Sequence, residues 1–177
     1  MTKLRMSIND INKRIRYNCN SLWNNYLTTN CYAYAIGIDI PENVITNKAY
    51  QPGIIGSIIF NIKLNEFNKM SLEEKIYIDL KALNISYNEC YENEISCEKF
   101  YNNTIIYQWV IALFLNKNGD YHFMRKSWNN IWWHKRGFNL EKPINYDDNF
   151  DTIYNPKTCE LNGYKYVKCL KLKYIVK

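Results

Sequence analysis

The chain has 177 residues and a formal net charge of +6. Its hydrophobic fraction of 47% is sufficient for one buried core, so we expect a single domain over residues 1–177 and exclude a disordered polyelectrolyte. No apolar run approaches the ~18 residues of a transmembrane helix, and the charged N-terminus lacks the apolar segment of a signal peptide. These features predict a cytoplasmic protein without a membrane span.

The composition is skewed toward four amino acids with AT-rich codons: 26 Asn, 23 Ile, 18 Lys and 16 Tyr. The skew predicts an AT-rich genome, which leaves a low-GC bacterium and a virus as alternatives. For a virus, the expected location is the host cytoplasm. The same skew supplies much of the lysine, so the positive charge alone is weak support for nucleic-acid binding.

The N-terminal part of the chain is predicted to be helical. Apolar residues recur at helical spacing over 7–27, and a polar break follows. Asn30 is a suitable N-cap for a second helix over 31–37, which begins C-Y-A-Y-A-I. Next, Gln51-Pro52-Gly53 predicts a turn, and the apolar run over 56–62 predicts a short strand.

The middle of the chain contains the clearest helix and an ambiguous polar segment. Ser71 and Glu74 form a capping box in front of apolar residues at helical spacing, which predicts a helix over 71–84. Residues 85–103 are polar, and we expect them to form a solvated segment. Together the helix and the polar segment predict an insertion at about 71–103 within the single domain.

Strands are predicted for most of the C-terminal half. β-branched and aromatic residues predict a strand over 105–115, and the Asn118-Gly119 turn leads to further strands over 120–126 and 131–136. A loop is expected over 139–151 and one or two final strands over 164–176. Helices followed by an antiparallel β-meander predict an α+β fold with the N-terminal helices packed on the sheet.

The only two histidines, His122 and His134, lie on the two arms of the predicted hairpin. If its loop centres on Trp128, the two histidines face each other with Cβ atoms about 5 Å apart. If Asn129-Asn130 form a type I′ turn instead, His134 opposes Arg125 and the imidazoles lie on opposite faces. We prefer the first register because it also pairs aromatic residues on the other face.

Cysteine supplies the candidate nucleophile. Without a signal peptide we expect reduced thiols, and the spacings are too wide for the usual zinc motifs, so no metal or other cofactor is predicted. Cys31 follows a polar cap at a helix N-terminus, and this position beside an imidazolium would lower the pKa of its thiol. With His122 as base and His134 as orienting residue, Cys31 would complete a catalytic triad.

The string Asn30-Cys31-Tyr32-Ala33-Tyr34-Ala35 resembles the nucleophile helix of the papain-like cysteine peptidases. The order of a cysteine on an early helix and histidines on two later strands, twelve residues apart, resembles the NlpC-type murein peptidases within that superfamily. The chain has Asn30 where that branch usually has Asp, and Tyr32-Ala33 where it usually has Ser-Gly. We therefore take the papain-like fold and the cysteine chemistry from the resemblance, and not the murein substrate.

The resemblance implies a cysteine peptidase or amidase that transfers an acyl group from an amide or isopeptide bond of a peptide or protein substrate. It assigns Cys31 as nucleophile, His122 as general base and His134 as the residue that orients it. It also implies that the Asn25 side chain is a second oxyanion donor beside the Cys31 N–H. Tyr32, Trp128 and Trp132 are the residues we expect to line the substrate cleft.

Two other functions stay open at this stage. One is a catalytically inactive papain-like domain that acts as a binding or immune-evasion module. The other is a nucleic-acid-binding surface, on which exposed aromatic rings would stack with bases and cations would contact phosphates. The residues expected for that surface are Trp128, Trp132, Lys126, Lys135 and Arg136.

Overall fold

The computed structural model describes residues 29–38, 51–102, 104–137 and 142–176. The helix predicted over 7–27 and the candidate oxyanion donor Asn25 lie outside these residues. The described part of the chain has short helices first and a six-stranded antiparallel sheet second, which confirms the α+β class. None of its helices has both the length and the apolar character needed to cross a membrane.

The described helices are α1 (Cys31–Ile36), α2 (Ile54–Ile59), α3 (Leu64–Phe67) and α4 (Leu72–Ala82). The ends of α1 and α4 confirm the sequence-based predictions. Asn30 caps α1, because its side-chain oxygen accepts from the Ala33 N–H at 2.9 Å, and Gly37 ends it in the left-handed conformation with φ of 85°. Ser71 and Glu74 form the expected capping box of α4.

The strand predicted over 56–62 is wrong, since these residues contribute to α2 and the turn after it. A short apolar run fits a buried helix as well as a strand, and a distant residue decides between them here. The carboxyl group of Asp79 on α4 accepts from the N–H groups of Gly53 and Gly56, both at 2.7 Å. This carboxyl group satisfies donors at the start of α2 that have no capping side chain of their own.

The strands are β1 (Ser86–Cys90), β2 (Cys97–Tyr101), β3 (Thr104–Asn116), β4 (Tyr121–Lys126), β5 (Trp132–His134) and β6 (Tyr164–Val176). The polar segment expected over 85–103 supplies β1 and β2. Many side chains of both strands are exposed, as expected for a solvated segment.

The sheet is not the simple meander that we predicted. Its strand order is β1-β6-β3-β4-β5, with β2 also paired to β3. The last strand, β6, returns to pair with β3 along its whole length and separates it from β1. Since β6 occupies one edge of β3, β2 and β4 share the other edge, at residues 104–108 and 111–115 respectively.

Both faces of the sheet are covered. On one face the helices enclose a core that includes Trp109, Leu113 and Phe123. On the other face the segment between β5 and β6 covers a second core around Phe114 and Trp132. Helix α1 is buried throughout and lies against β4 and β5. This packing brings the start of α1, and so Cys31, to the strand that contains His122.

Candidate active site

The β4–β5 hairpin has neither of the two registers that we considered. His134 pairs with Met124, two residues along from His122. The connection spans residues 127–131 and is closed by the Ser127 N–H, which donates to the Ile131 carbonyl at 2.9 Å. His122 and His134 are thus diagonal neighbours on one face of the sheet rather than directly opposite each other.

This register brings the two imidazole rings into contact. Nε2 of His122 lies 2.8 Å from Nδ1 of His134, and the rings are nearly perpendicular, with centroids 4.9 Å apart. The other nitrogen of His134, Nε2, lies 3.0 Å from the backbone carbonyl oxygen of Tyr146. Both side chains are buried, with 8% of His122 and 1% of His134 exposed.

The carbonyl group at the end of this chain of hydrogen bonds fixes the tautomer of both rings. A carbonyl oxygen only accepts, so Nε2 of His134 holds a proton and donates it to Tyr146. In a neutral His134 the Nδ1 atom is then an acceptor, and Nε2 of His122 must donate to it. The remaining nitrogen of His122, Nδ1, carries no proton in this tautomer and can act as a base.

The segment that presents the Tyr146 carbonyl is held by backbone bonds and by one buried carboxylate. His134 and Ile144 exchange two backbone hydrogen bonds of 2.8 Å each. The Asp147 side chain accepts from the N–H groups of Asn149, Asp151 and Glu160. The sequence does not indicate Asp147 or the Tyr146 carbonyl as parts of the site, because no local pattern shows which backbone oxygen meets a distant histidine.

Cys31 is the first residue of α1, and its side chain is buried against β4. The backbone N–H of Phe123, the residue after His122, forms a hydrogen bond with the Cys31 sulfur. Burial raises the pKa of the Cys31 thiol to about 12, although the N–H groups of Phe123 and Tyr32 act in the opposite direction. The expectation that the helix start lowers this pKa is therefore wrong, because desolvation outweighs the backbone donors.

His122 is shifted away from its charged form. Burial lowers its pKa to about 3, and the proximity of His134 and Arg136 acts in the same direction. Burial also lowers the pKa of His134. At neutral pH Cys31 is thus a protonated thiol and His122 an unprotonated imidazole, so the two groups are not a thiolate and an imidazolium.

A pocket of about 460 Å³ opens onto the two histidines. Tyr164 forms part of its wall, and the tyrosine ring lies 5.7 Å from the ring of His122. Arg136 and Asp148 form an ion pair that also lines the pocket. Small molecules can therefore reach the histidine pair through this pocket, and Cys31 does not contribute to its lining.

Of the three residues expected to line a substrate cleft, two are fully buried. The Tyr32 hydroxyl donates to Asp79 at 3.0 Å inside the helical core. Trp132 packs in the second core beneath the Lys126 ammonium group. Trp128 lies in the hairpin loop and is exposed. Trp128 alone of the three is accessible to a substrate.

The expected nucleic-acid surface is not formed by these residues either. Lys126 is buried, and its Nζ donates to the carbonyl oxygens of Glu92 and Glu94, both at 2.8 Å. Lys135 and Trp132 are fully buried as well, whereas Arg136 is exposed and forms an ion pair with Asp148. Three of the five proposed contacts are thus inaccessible to a phosphate or a base.

Within the described ranges, no group of three histidine, cysteine or acidic side chains is arranged to hold a metal ion. Comparison of the chain with protein-family models, curated proteins and solved structures finds no match. The chemistry of the Cys31–His122–His134 region must therefore be argued from its geometry.

Proposed function

We propose that the protein is a cysteine-dependent acyl-transfer hydrolase that acts on an amide or isopeptide bond of a peptide or protein. The observation on which this rests is the chain from His122 through His134 to the Tyr146 carbonyl. These hydrogen bonds leave Nδ1 of His122 as a basic nitrogen on β4. The next residue of β4, Phe123, donates its backbone N–H to the sulfur of Cys31. The resemblance to the papain-like and NlpC-type peptidases supports the same roles.

In the proposed reaction, His122 removes the thiol proton while the sulfur attacks the carbonyl carbon of the substrate. The carbonyl electron pair moves onto its oxygen, where the Cys31 N–H at the start of α1 is a donor. Collapse of the intermediate breaks the C–N bond, and the leaving amine takes the proton from His122. Water then hydrolyses the thioester, with His122 again as base, and the thiol is restored.

Proton transfer in this scheme accompanies attack, because burial keeps the pKa of Cys31 high and that of His122 low. His134 acts when His122 becomes positively charged. Its Nδ1 accepts the Nε2–H of the imidazolium and holds the ring in the productive orientation. His134 therefore needs no negative charge, in contrast to a triad that ends in a carboxylate.

The second candidate is an inactive papain-like binding module. The burial of Cys31 and the resulting high pKa of its thiol favour it, since a fully protonated nucleophile reacts slowly. The two functions differ in whether an acyl group transfers to Cys31, so a small activated ester separates them without knowledge of the natural substrate.

The test uses p-nitrophenyl acetate with the full chain at pH 7.5. For the hydrolase we expect a burst of about one p-nitrophenol per protein and one acetyl group on Cys31, located by mass spectrometry of peptides. Cys31→Ala should remove the burst. Cys97→Ala, at a half-buried cysteine on β2, is the matched control and should retain it.

A burst that persists in Cys31→Ala, or acetylation spread over lysines and other cysteines at equal rates, would overturn the nucleophile assignment. Intact folding with no acetylation of Cys31 would instead support the inactive module.

A further inference from the structure

Two cysteines outside the candidate active site face each other across neighbouring strands. Cys90 ends β1, and its register partner on β6 is Cys169. Register partners in an antiparallel pair project to the same face of the sheet. Both side chains pack in the second core, where Cys169 is 1% exposed and Cys90 is half-buried.

The spacing of antiparallel partners suits a disulfide. Opposite residues have Cα atoms about 4.5 or 5.5 Å apart, depending on whether the pair is hydrogen-bonded. Both separations lie within the range of about 4.4–6.8 Å found for disulfide-linked cysteines. Cys90 is the last residue of the edge strand β1, so no further strand on its outer side restrains it.

The surroundings of the pair contain groups that stabilise a thiolate. The Tyr166 hydroxyl donates to the sulfur of Cys169, and the Lys126 ammonium group lies close to both cysteines. Burial nevertheless raises the pKa of both thiols, and each thiolate would repel the other. Thiol chemistry at this pair is therefore expected to be slow at neutral pH and faster at alkaline pH.

We propose that Cys90 and Cys169 form a cross-strand disulfide when the protein meets an oxidising low-molecular-weight disulfide, so that the edge strand β1 becomes covalently joined to β6. The inference is independent of the proposed hydrolase activity, since neither cysteine takes part in it.

Oxidised glutathione can supply the oxidising equivalents. The thiolate of Cys90, the more accessible of the two, attacks one glutathione sulfur, and a mixed disulfide forms as one glutathione thiolate leaves. The thiolate of Cys169 then attacks the Cys90 sulfur and displaces the second glutathione. Two protein thiols lose two hydrogen atoms in total, and one glutathione disulfide becomes two thiols.

The experiment incubates the folded full chain with oxidised glutathione at pH 8.5, blocks the remaining thiols after denaturation, and maps disulfides by mass spectrometry. We expect a peptide pair joined through Cys90 and Cys169 and a rise in melting temperature that dithiothreitol reverses. Cys90→Ser should lose both effects. Cys159→Ser, at a half-buried cysteine packed on the same core, is the matched control and should retain both.

Three results would overturn the proposal. The first is a stable glutathione adduct on Cys90 with no disulfide to Cys169, and the second is a disulfide between Cys169 and Cys159. The third is that Cys90 and Cys169 remain free thiols after Cys97 has reacted with glutathione. Because Cys169 is fully buried, the variant used is Cys90→Ser, whose circular dichroism spectrum should match that of the parent chain. The acetylation burst at Cys31 is measured in the same sample, so failure of one proposal does not affect the other.

Discussion

At the residue scale, His122 and His134 have the same side chain but different hydrogen-bond partners. His134 is fixed between an N–H donor and a carbonyl acceptor, whereas His122 has one nitrogen available as a base. A glutamine at 134 can reproduce both hydrogen bonds, since its amide oxygen accepts and its amide nitrogen donates. A leucine of similar size can reproduce neither.

We therefore predict that His122→Ala lowers the rate of Cys31 acetylation by about 10²–10⁴-fold, the usual contribution of a general base. His134→Gln should lose much less than that, and His134→Leu should fall between the two. Single-turnover rates with p-nitrophenyl acetate measure the series. An inactive His134→Gln beside an active His122→Ala would mean that the two roles are reversed.

The pH dependence of acetylation is the second prediction at this scale. The lowered pKa of His122 means that its base form persists well below the ordinary histidine value of ~6.5. Single-turnover acetylation of Cys31 should thus stay nearly constant from pH 8 to pH 5. Alkylation by iodoacetamide, which needs the thiolate, should instead rise with pH up to pH 9 and beyond, because the pKa of the thiol is raised. A half-maximal acetylation rate near pH 6.5 would contradict the buried, uncharged His122.

At the scale of elements, the sequence predicts the features that neighbouring residues determine and misses those that distant residues determine. The caps of α1 and α4 lie within a few residues of their helices, so the sequence predicts them. The start of α2 is satisfied by Asp79, which lies more than twenty residues further along the chain, and no local pattern could show this. In the same way, β1 is half-exposed and polar, and its partner β6 comes at the end of the chain.

Asp79 is the residue whose loss should affect the helices most. Its carboxyl group is buried and accepts from Gly53, Gly56 and the Tyr32 hydroxyl, so it joins α1, α2 and α4. Asp79→Asn turns one acceptor into a donor that faces other donors, and we predict a loss of about 1–3 kcal/mol in the free energy of unfolding. Urea denaturation measures it, with the exposed Asp151→Asn as a control that should change by less than about 0.5 kcal/mol. Equal stability of the two variants would show that Asp79 does not hold the helices together.

At the scale of the whole molecule, the sequence predicted the α+β class but not the topology. A final strand inserted between β1 and β3 depends on long-range pairing, which periodicity does not report. The two histidines were expected to share a face, and they do, although the register was wrong by two residues. A shift of two preserves the face because side chains alternate with a period of two.

The burial of His122 and His134 also determines how the free energy of unfolding changes in acid. Burial lowers the pKa of His122 to about 3 and lowers that of His134, whereas in the unfolded chain both titrate near ~6.5. Below pH 6.5 the unfolded chain therefore binds protons that the folded protein does not, and the free energy of unfolding falls. Glu74, Glu92 and Asp147 also have lowered pKa values, but their unfolded values near ~4 confine their effect to more acidic solutions.

Between pH 6.5 and pH 5, the change in the free energy of unfolding thus comes from the two histidines rather than from these carboxyl groups. We predict that the free energy of unfolding falls by about 2 kcal/mol for His122 alone between pH 7 and pH 5, with a further loss from His134. Urea unfolding at several pH values measures the slope. The double variant His122→Gln, His134→Gln should have a nearly flat profile over this range whatever its absolute stability, because glutamine does not titrate. An equally steep loss in the double variant would mean that other groups take up the protons and that the histidine pair is already charged or solvent-exposed in the folded protein.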